Sequence, residues 1–306
     1  MIFFYEKDLI TIKTVLPKLA LLGATLVWGA SFVIMKGTLD NVPVFTLLAL
    51  RFTGAFVFMS LIFCKKWKKI NKKTLWQGSV LGIILFVAYT VQTTGLKFST
   101  PGKNAFLTAI YCVLVPFMFW FITKEKPDKY NIVSAFICIA GVGLVSLTSQ
   151  FTIETGDALS LLGGVMYAVH IIFIALYTKD GDPVMLSTIQ FLSAGICAWT
   201  ASLIFEDFPS TWTTDMLAEI IYLAVLCTAI AFILQMWGQK YEAPASASLI
   251  LSLESVFGVI FSVILGDEKL SIQLISGFSL IFAAIIISQT KLSFINKLST
   301  DNKKRK

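Results

Sequence analysis

Ten stretches of about 20 mostly apolar residues run through the chain, and they restrict its fold more than any other sequence feature. A helix needs roughly 20 apolar residues to cross the ~30 Å hydrocarbon core of a bilayer. Short polar loops separate the stretches, so each is expected to form one membrane crossing. The expected spans are residues 19–36, 42–64, 75–96, 101–123, 130–149, 157–178, 184–205, 216–238, 244–265 and 270–290.

The composition agrees with this interpretation. Of the 306 residues, 57% are hydrophobic and 14% are charged, whereas a soluble domain has about 25% charged residues. The excess apolar surface must therefore face lipid, which predicts an all-α membrane protein. The net charge of +7 does not indicate nucleic-acid binding, because the basic residues lie in short loops between the apolar stretches.

The distribution of lysine and arginine predicts the orientation. With the N-terminus in the cytoplasm, the cytoplasmic segments hold 20 of these residues and the outer segments hold 4. Such a bias towards the cytoplasmic side is the usual determinant of helix orientation. We therefore expect a multi-pass protein of the cell membrane, of the bacterial inner-membrane type, with both termini in the cytoplasm.

The two halves of the sequence resemble each other. The stretch that begins at Pro101 and the stretch that begins at Pro244 both reach a Glu-Lys pair 24 residues later, and an offset of 143 also aligns Gln92 with Gln235. We predict two five-helix repeats, residues 1–150 and 151–306. An odd number of crossings places the second repeat upside down relative to the first, which is typical of secondary transporters.

Catalytic and cofactor motifs are missing from the sequence. The five cysteines form no CxxC pair and no cluster with the single histidine, so no metal site is expected. The segment Ser99–Asn104 is not a P-loop, because Lys97 stands where the first glycine is needed and Asn104 stands where serine or threonine is needed. We expect neither an enzyme nor a bound cofactor.

Five motifs occur in order along the chain. They are Trp28-Gly29-Ala30-Ser31-Phe32, Leu50-Arg51-Phe52, the proline-to-Glu-Lys stretch, Gly156-Asp157 and Leu253-Glu254. Together they resemble the drug/metabolite transporter superfamily, in particular its EamA-type ten-helix exporters, although residue 255 is serine where the family often has proline. The resemblance covers roughly residues 18–290 and implies a ten-helix bundle with a central cavity and alternating access.

Three charged or titratable side chains fall deep within the expected spans. A charge at the bilayer centre costs at least ~2.5 kcal/mol, so it normally faces a cavity or a partner. Glu254 can bind a substrate amine, carry a proton or pair with Arg51. Arg51 can attract a carboxylate, although a structural role is favoured because a guanidinium does not titrate. His170 can titrate, but a packing role is also favoured for it.

Aromatic and amide side chains extend the set of candidate substrate-binding residues. Glu254 aligns with Tyr111 at the offset of 143, so these two positions should meet near the axis that relates the repeats. The complete candidate set is Glu254, Tyr111, Trp28, Tyr167, Gln92, Gln235, Tyr89, Arg51 and His170.

The function expected from the sequence is secondary transport. The leading hypothesis is an exporter of amino acids or related amphipathic metabolites, with a small-molecule substrate, protons as the coupling ion and the lipid bilayer as surroundings. Two alternatives remain: an importer or facilitator of a cationic or vitamin-like solute, and a membrane sensor or intramembrane enzyme. A homodimer is also left open.

Overall fold

The computed structural model of the chain describes residues 2–124, 126, 129–146, 153–265 and 269–290. Within these residues the chain forms ten α-helices and one 3₁₀ helix, Cys64–Lys69, which lies between the second and third of them. Their bounds are α1 Ile2–Thr38, α2 Val44–Ile62, α3 Lys72–Lys97, α4 Pro101–Thr108 with Tyr111–Thr123, α5 Lys129–Ser146, α6 Thr155–Tyr177, α7 Pro183–Phe205, α8 Thr214–Tyr241, α9 Pro244–Ile264 and α10 Ile272–Thr290.

The expected all-α membrane fold of ten helices is confirmed. Eight helices are long and apolar enough to cross a membrane, while α5 and α10 contain the shorter apolar helices Ile132–Val145 and Ile272–Ala284. Some helices extend beyond the expected spans: α1 begins at Ile2, before the span expected from residue 19, and α8 continues to Tyr241, beyond the span expected to end at residue 238.

Two of the ten helices are irregular, which hydropathy did not predict. Helix α4 was expected to be continuous over residues 101–123, but a turn at Ala109 and Ile110 divides it. Helix α8 contains one π-helical turn, Val225–Ile230. Such interruptions change which backbone groups are free to bind side chains, and they often occur at functional sites.

The packing of the helices repeats when the two halves are exchanged. Helix α1 packs against α9 as α6 packs against α4, and α3 packs against α7 as α8 packs against α2. The contact of α3 with α6 likewise corresponds to that of α8 with α1, while α2–α7, α4–α9 and α5–α10 join equivalent helices. This is the pattern of two five-helix repeats related by a pseudo-two-fold axis, and five crossings per repeat give them opposite orientations in the membrane.

Small residues allow α3 and α7 to approach closely. A Cβ atom at Gly78 would lie 2.6 Å from the Cβ of Ile189, and one at Gly82 would lie 3.1 Å from the backbone nitrogen of Ala194. The Gly78–Gly82 pair has the spacing of a small-residue packing motif in membrane helices. Its contact with α7 confirms that it serves helix packing.

Side-chain caps fix where several helices begin. Thr100 accepts a hydrogen bond from the backbone N–H of Lys103 at the start of α4, and Asp182 accepts from Val184 and Met185 at the start of α7. Proline follows each of these caps at the first helical position, where its missing N–H leaves no bond unmade.

Some sequence predictions lie outside the described residues. They are the boundary between residues 150 and 151, the acidic members of the two Glu-Lys pairs, Glu125 and Glu268, and the basic tail at residues 303–306.

Candidate functional site

A small cavity lies where the two repeats meet. It offers about 30 Å³ to the centres of water-sized molecules, which is room for roughly two waters. Helices α1, α2, α3, α4, α6, α8 and α9 all contribute to its wall. The lining residues are Trp28, Ser31, Phe32, Met35, Arg51, Tyr89, Gln92, Tyr111, Tyr167, Ile171, Phe232, Gln235, Leu251 and Glu254.

Most of the wall consists of pairs of equivalent residues from the two repeats. An offset of 143 relates three pairs in α3, α4, α8 and α9, and an offset of 139 relates two pairs in α1 and α6. The cavity therefore lies on the pseudo-two-fold axis, which is where transporters with inverted repeats place their substrate. The pairs are Tyr89 with Phe232, Gln92 with Gln235, Tyr111 with Glu254, Trp28 with Tyr167, and Phe32 with Ile171.

Glu254 lies at the middle of the 21-residue helix α9. Tyr111, the first residue after the turn in α4, donates a hydrogen bond of 3.0 Å to its Oε1 atom. The two positions thus meet, as the repeat alignment predicted. No hydrogen bond to Oε2 is found among the described residues, and Glu254 is 6% exposed while it lines the cavity.

Arg51 is buried completely and binds three helices at once. Its Nε donates to Thr228 Oγ1 at 2.5 Å, its Nη1 to the sulfur of Met35 at 3.5 Å, and its Nη2 to the phenol oxygen of Tyr89 at 3.1 Å. The guanidinium also lies over the Tyr89 ring, 4.6 Å from its centre. These contacts tie α2 to α1, α3 and α8.

The π-helical turn of α8 supplies two acceptors for Arg51, the Thr228 hydroxyl and the Cys227 carbonyl. The Cys227 carbonyl accepts from Trp28 Nε1 at 2.7 Å and from Arg51 Nη2 at 3.3 Å. Thr228, which accepts from Arg51 Nε, donates its own proton to the Leu223 carbonyl at 2.8 Å. The turn thus makes backbone and hydroxyl oxygens available to side chains from α1 and α2.

Arg51 and Glu254 do not neutralise each other. The four ion pairs found among the described residues lie near helix ends, and none joins these two side chains. Of the readings that the sequence left open for Glu254, pairing with Arg51 is therefore wrong for this conformation.

The two glutamines of the cavity have different partners. Gln92 Oε1 accepts from the hydroxyl of Tyr167 at 2.7 Å, and Gln92 Nε2 donates to Thr108 Oγ1 at 3.4 Å. Gln235 Oε1 is buried without a hydrogen-bond partner among the described residues. One amide therefore orders the wall, while the other keeps hydrogen-bonding capacity.

His170 is the one candidate that the structure does not bring to the cavity. Its Nε2 lies 3.0 Å from Gln190 Oε1 of α7, and its ring contacts the edge of Phe232 with 6.0 Å between the centres. It is completely buried. This environment fits a packing residue behind the cavity wall.

The sequence interpretation missed six lining residues, most of them apolar: Ser31, Phe32, Met35, Ile171, Phe232 and Leu251. Three of the six were within reach of the sequence. Phe232 follows Tyr89 at the offset of 143, while Phe32 and Ile171 share the offset of Trp28 and Tyr167.

The EamA-like transporter family model matches the chain twice, over residues 16–147 and 154–290. The chain belongs to the EamA-like transporter family. The two matches correspond to the two packed repeats, and the family resemblance inferred from the sequence motifs is confirmed.

Relatives of this EamA-like chain are named as transporters. An uncharacterized transporter of Archaeoglobus fulgidus is 31% identical over 283 residues, with 90% of this chain and 87% of that protein covered. The uncharacterized transporter YoaV of Bacillus subtilis is 23% identical, with 88% and 95% covered. The chain is thus a multi-pass membrane transporter with a small-molecule substrate, surrounded by a lipid bilayer.

A solved crystal structure has a similar fold. It covers 91% of this chain and 98% of its own, with a TM-score of 0.69 and 18% sequence identity. This likeness supports the arrangement of helices around the cavity.

Proposed function

We propose that this EamA-like protein is a secondary active transporter that exports small amphipathic metabolites bearing an amine, in exchange for protons. It would act in the cell membrane, with both termini in the cytoplasm. Amino acids and simple amines both carry the group that Glu254 would bind. Alternating access would come from the two repeats, which rock about the cavity between them. Since the cavity has only about 30 Å³ of space in this conformation, this motion would also have to widen it before a substrate can bind.

The observation that carries this proposal is the position of Glu254. Glu254 lines the cavity at the interface of the repeats, and its Oε2 has no protein partner among the described residues. A carboxyl group can take up a proton or bind an amine, but it cannot do both at once. Competition of this kind couples an inward proton to an outward substrate.

The aromatic wall supports an amphipathic substrate. Trp28, Phe32, Tyr167 and Phe232 surround the space beside Glu254. Their faces favour an apolar body, and they also attract a cationic group through the quadrupole of the ring. The same features would suit import of a cationic solute, the runner-up function, which differs only in the direction of net flux.

Purified protein in liposomes tests the proposal. An imposed pH gradient should drive accumulation of an amine-bearing solute in wild-type vesicles. Glu254→Gln, which copies the protonated side chain but cannot titrate, should lose the response to the gradient and keep residual exchange.

His170→Gln is the matched control, because it also replaces a buried titratable group with an amide that can still bind Gln190. It should respond to the gradient like the wild type. If Glu254→Gln responds like the wild type while His170→Gln does not, the proton is carried by His170 and the proposed role of Glu254 is wrong. Vesicles of known orientation then give the direction of flux.

A further inference from the structure

We propose that the cavity selects small organic amines that lack a carboxylate over the corresponding amino acids. This inference rests on the proposed function, because it names the substrate class of the same site. It follows from an imbalance between the two charged side chains of the wall. Glu254 has an oxygen that can bind a ligand, whereas Arg51 donates its hydrogen bonds to other groups of the protein.

Glu254 is the available group. Its Oε1 accepts the Tyr111 hydroxyl at 3.0 Å, which fixes the carboxylate, and its Oε2 has no partner among the described residues. An ammonium group carries several N–H donors and would bind this oxygen through a charge-assisted hydrogen bond. Neighbouring aromatic faces would receive the remainder of the cation.

Arg51 is the committed group. Its three nitrogens donate to Thr228, Met35, Tyr89 and the Cys227 carbonyl, and the side chain has no exposed surface. Within the described wall it is the only cationic side chain. A substrate carboxylate could reach it only by displacing contacts that join α2 to three other helices.

Three other donors in the wall are engaged as well. Trp28 Nε1 donates to the Cys227 carbonyl, the Tyr167 hydroxyl to Gln92, and the Ser31 hydroxyl to the Trp28 carbonyl. A carboxylate that enters would lose its water without gaining a charged partner, and such a loss is expensive in a protein interior. An amine would find its partner already in place.

Two matched series of ligands test the selectivity. The aromatic series consists of phenethylamine, phenylalanine and 3-phenylpropanoate, which share a ring and differ in the amine and the carboxylate. The aliphatic series consists of isoamylamine, leucine and 4-methylpentanoate. Binding to the purified wild-type protein is measured by calorimetry at neutral pH, and uptake into proteoliposomes is measured by competition.

We expect each amine to bind about 10- to 100-fold more tightly than its amino acid, which is the effect of one buried polar group left without a partner. The acids should not compete. Glu254→Gln should weaken binding of the amines. Equal or tighter binding of the amino acids, competition by the acids, or binding by neither amine overturns the proposal.

The outcomes separate this inference from the proposed function. If phenylalanine or leucine is preferred and is exchanged for protons, the exporter stands and the selectivity is wrong. If the amines bind selectively but no pH gradient moves them, the selectivity stands and proton-coupled transport is wrong.

Tyr89→Phe tests the reason for the selectivity. The variant keeps the ring beneath the guanidinium but removes the phenol oxygen that accepts from Arg51 Nη2 at 3.1 Å. The released N–H lies at the cavity wall, so the preference for amine over amino acid should fall. An unchanged ratio would contradict the role assigned to Arg51. Tyr241→Phe, at the end of α8 and outside the cavity wall, is the control.

Discussion

Tyr111 on α4 donates a hydrogen bond of 3.0 Å to Glu254 on α9, and the two residues occupy equivalent positions in the two repeats. Such a contact can form only where the pseudo-two-fold axis passes between them. The symmetry of the backbone thus produces an asymmetric pair, with a donor from one repeat and an acceptor from the other.

Removal of this donor should weaken substrate binding. Tyr111→Phe keeps the ring but leaves Glu254 Oε1 without its partner, so the carboxylate is no longer held towards the cavity. One such hydrogen bond contributes about 1 kcal/mol, which corresponds to roughly a fivefold loss of affinity. Calorimetry with an amine ligand measures the change. Tyr241→Phe removes a hydroxyl at the end of α8, outside the cavity wall, and should leave the affinity unchanged. Equal effects of the two variants would contradict the role of the Tyr111 contact.

Replacement of Arg51 should lower the stability of the fold more than it lowers substrate affinity. Arg51→Lys substitutes one ammonium for a planar group that binds Thr228, Tyr89 and Met35 in different directions. We expect a loss of about 2–4 kcal/mol in the free energy of unfolding, since several charged hydrogen bonds of about 1.5–3 kcal/mol each are lost or weakened. Thermal denaturation in detergent measures it.

Thr228 offers a graded comparison for the same contact. Thr228→Ser keeps the hydroxyl that accepts from Arg51, whereas Thr228→Val removes it at nearly constant volume. Valine should therefore lower the melting temperature more than serine. If Arg51→Lys melts like the wild type but changes substrate affinity, Arg51 is a ligand and its structural role is refuted.

The ten spans and the repeat could be predicted from the sequence because bilayer thickness imposes a length on each apolar stretch. The repeat offset also predicts that Tyr111 and Glu254 meet, because it assigns them equivalent positions in the two repeats. The turn at Ala109 and the π-helical turn at Val225–Ile230 could not be predicted. Hydropathy reports which residues are apolar, but it does not report which carbonyl each N–H binds.

The candidate site likewise contains residues that the sequence predicts and residues that it does not. Polar and aromatic residues such as Gln92 were identified because their burial in lipid needs an explanation. Phe232 and Leu251 were missed because an apolar residue in a membrane helix needs none. His170 was included on its chemistry alone, and the fold directs it towards Gln190 instead. Which face of a helix meets the axis depends on packing, which one sequence does not contain.

Acid should destabilise the end of the bundle where α7 begins. Partial burial opposes ionisation of Asp182, but Lys66 at 2.6 Å and the N–H groups of Met185 and Val184 outweigh it and leave the pKa of this carboxyl below its usual range. A lowered pKa stabilises the fold above the unfolded value near 4, and the contribution disappears as the pH falls through the folded value.

Asp182→Ala should therefore destabilise the protein at neutral pH by about 0.5–2 kcal/mol, the range for loss of a helix cap. The difference from wild type should shrink as the pH falls below about 4. Asp182→Asn keeps an oxygen for the cap and loses the charge, so its stability at neutral pH should lie between that of the wild type and that of Asp182→Ala. Melting temperatures across a pH series measure this, and a difference that grows in acid would contradict the sign.

Reporter fusions test the predicted orientation. Fusions after Lys69 and after Lys126 should report the cytoplasm, because the loops around them hold nine lysines. A fusion after Glu154, which precedes α6, should report the outside. A cytoplasmic signal at Glu154 would contradict an odd number of crossings in the first repeat, and with it the opposite orientation of the second.

The pair on the axis allows a stricter test of the symmetry, in which the two side chains are exchanged. Tyr111→Glu alone places two carboxylates beside each other, and they repel unless one is protonated. Glu254→Tyr alone leaves two phenols and no carboxylate. The exchanged double variant restores one of each, so the hydrogen bond can form again with its direction reversed. We expect its melting temperature to exceed that of Tyr111→Glu, with a favourable coupling energy of about 0.5–3 kcal/mol in the double-mutant cycle.

Transport by the exchanged variant shows whether a carboxylate on the axis is sufficient or whether it must belong to α9. The carboxylate would then arise from α4, next to the turn at Ala109 and Ile110, and it would still face the cavity. If only a carboxylate on the axis is required, an amine ligand should bind and a pH gradient should drive it, while Glu254→Tyr alone does neither. A double variant no more stable than Tyr111→Glu would show that the two positions are not equivalent, and that the contact at Glu254 depends on α9 itself.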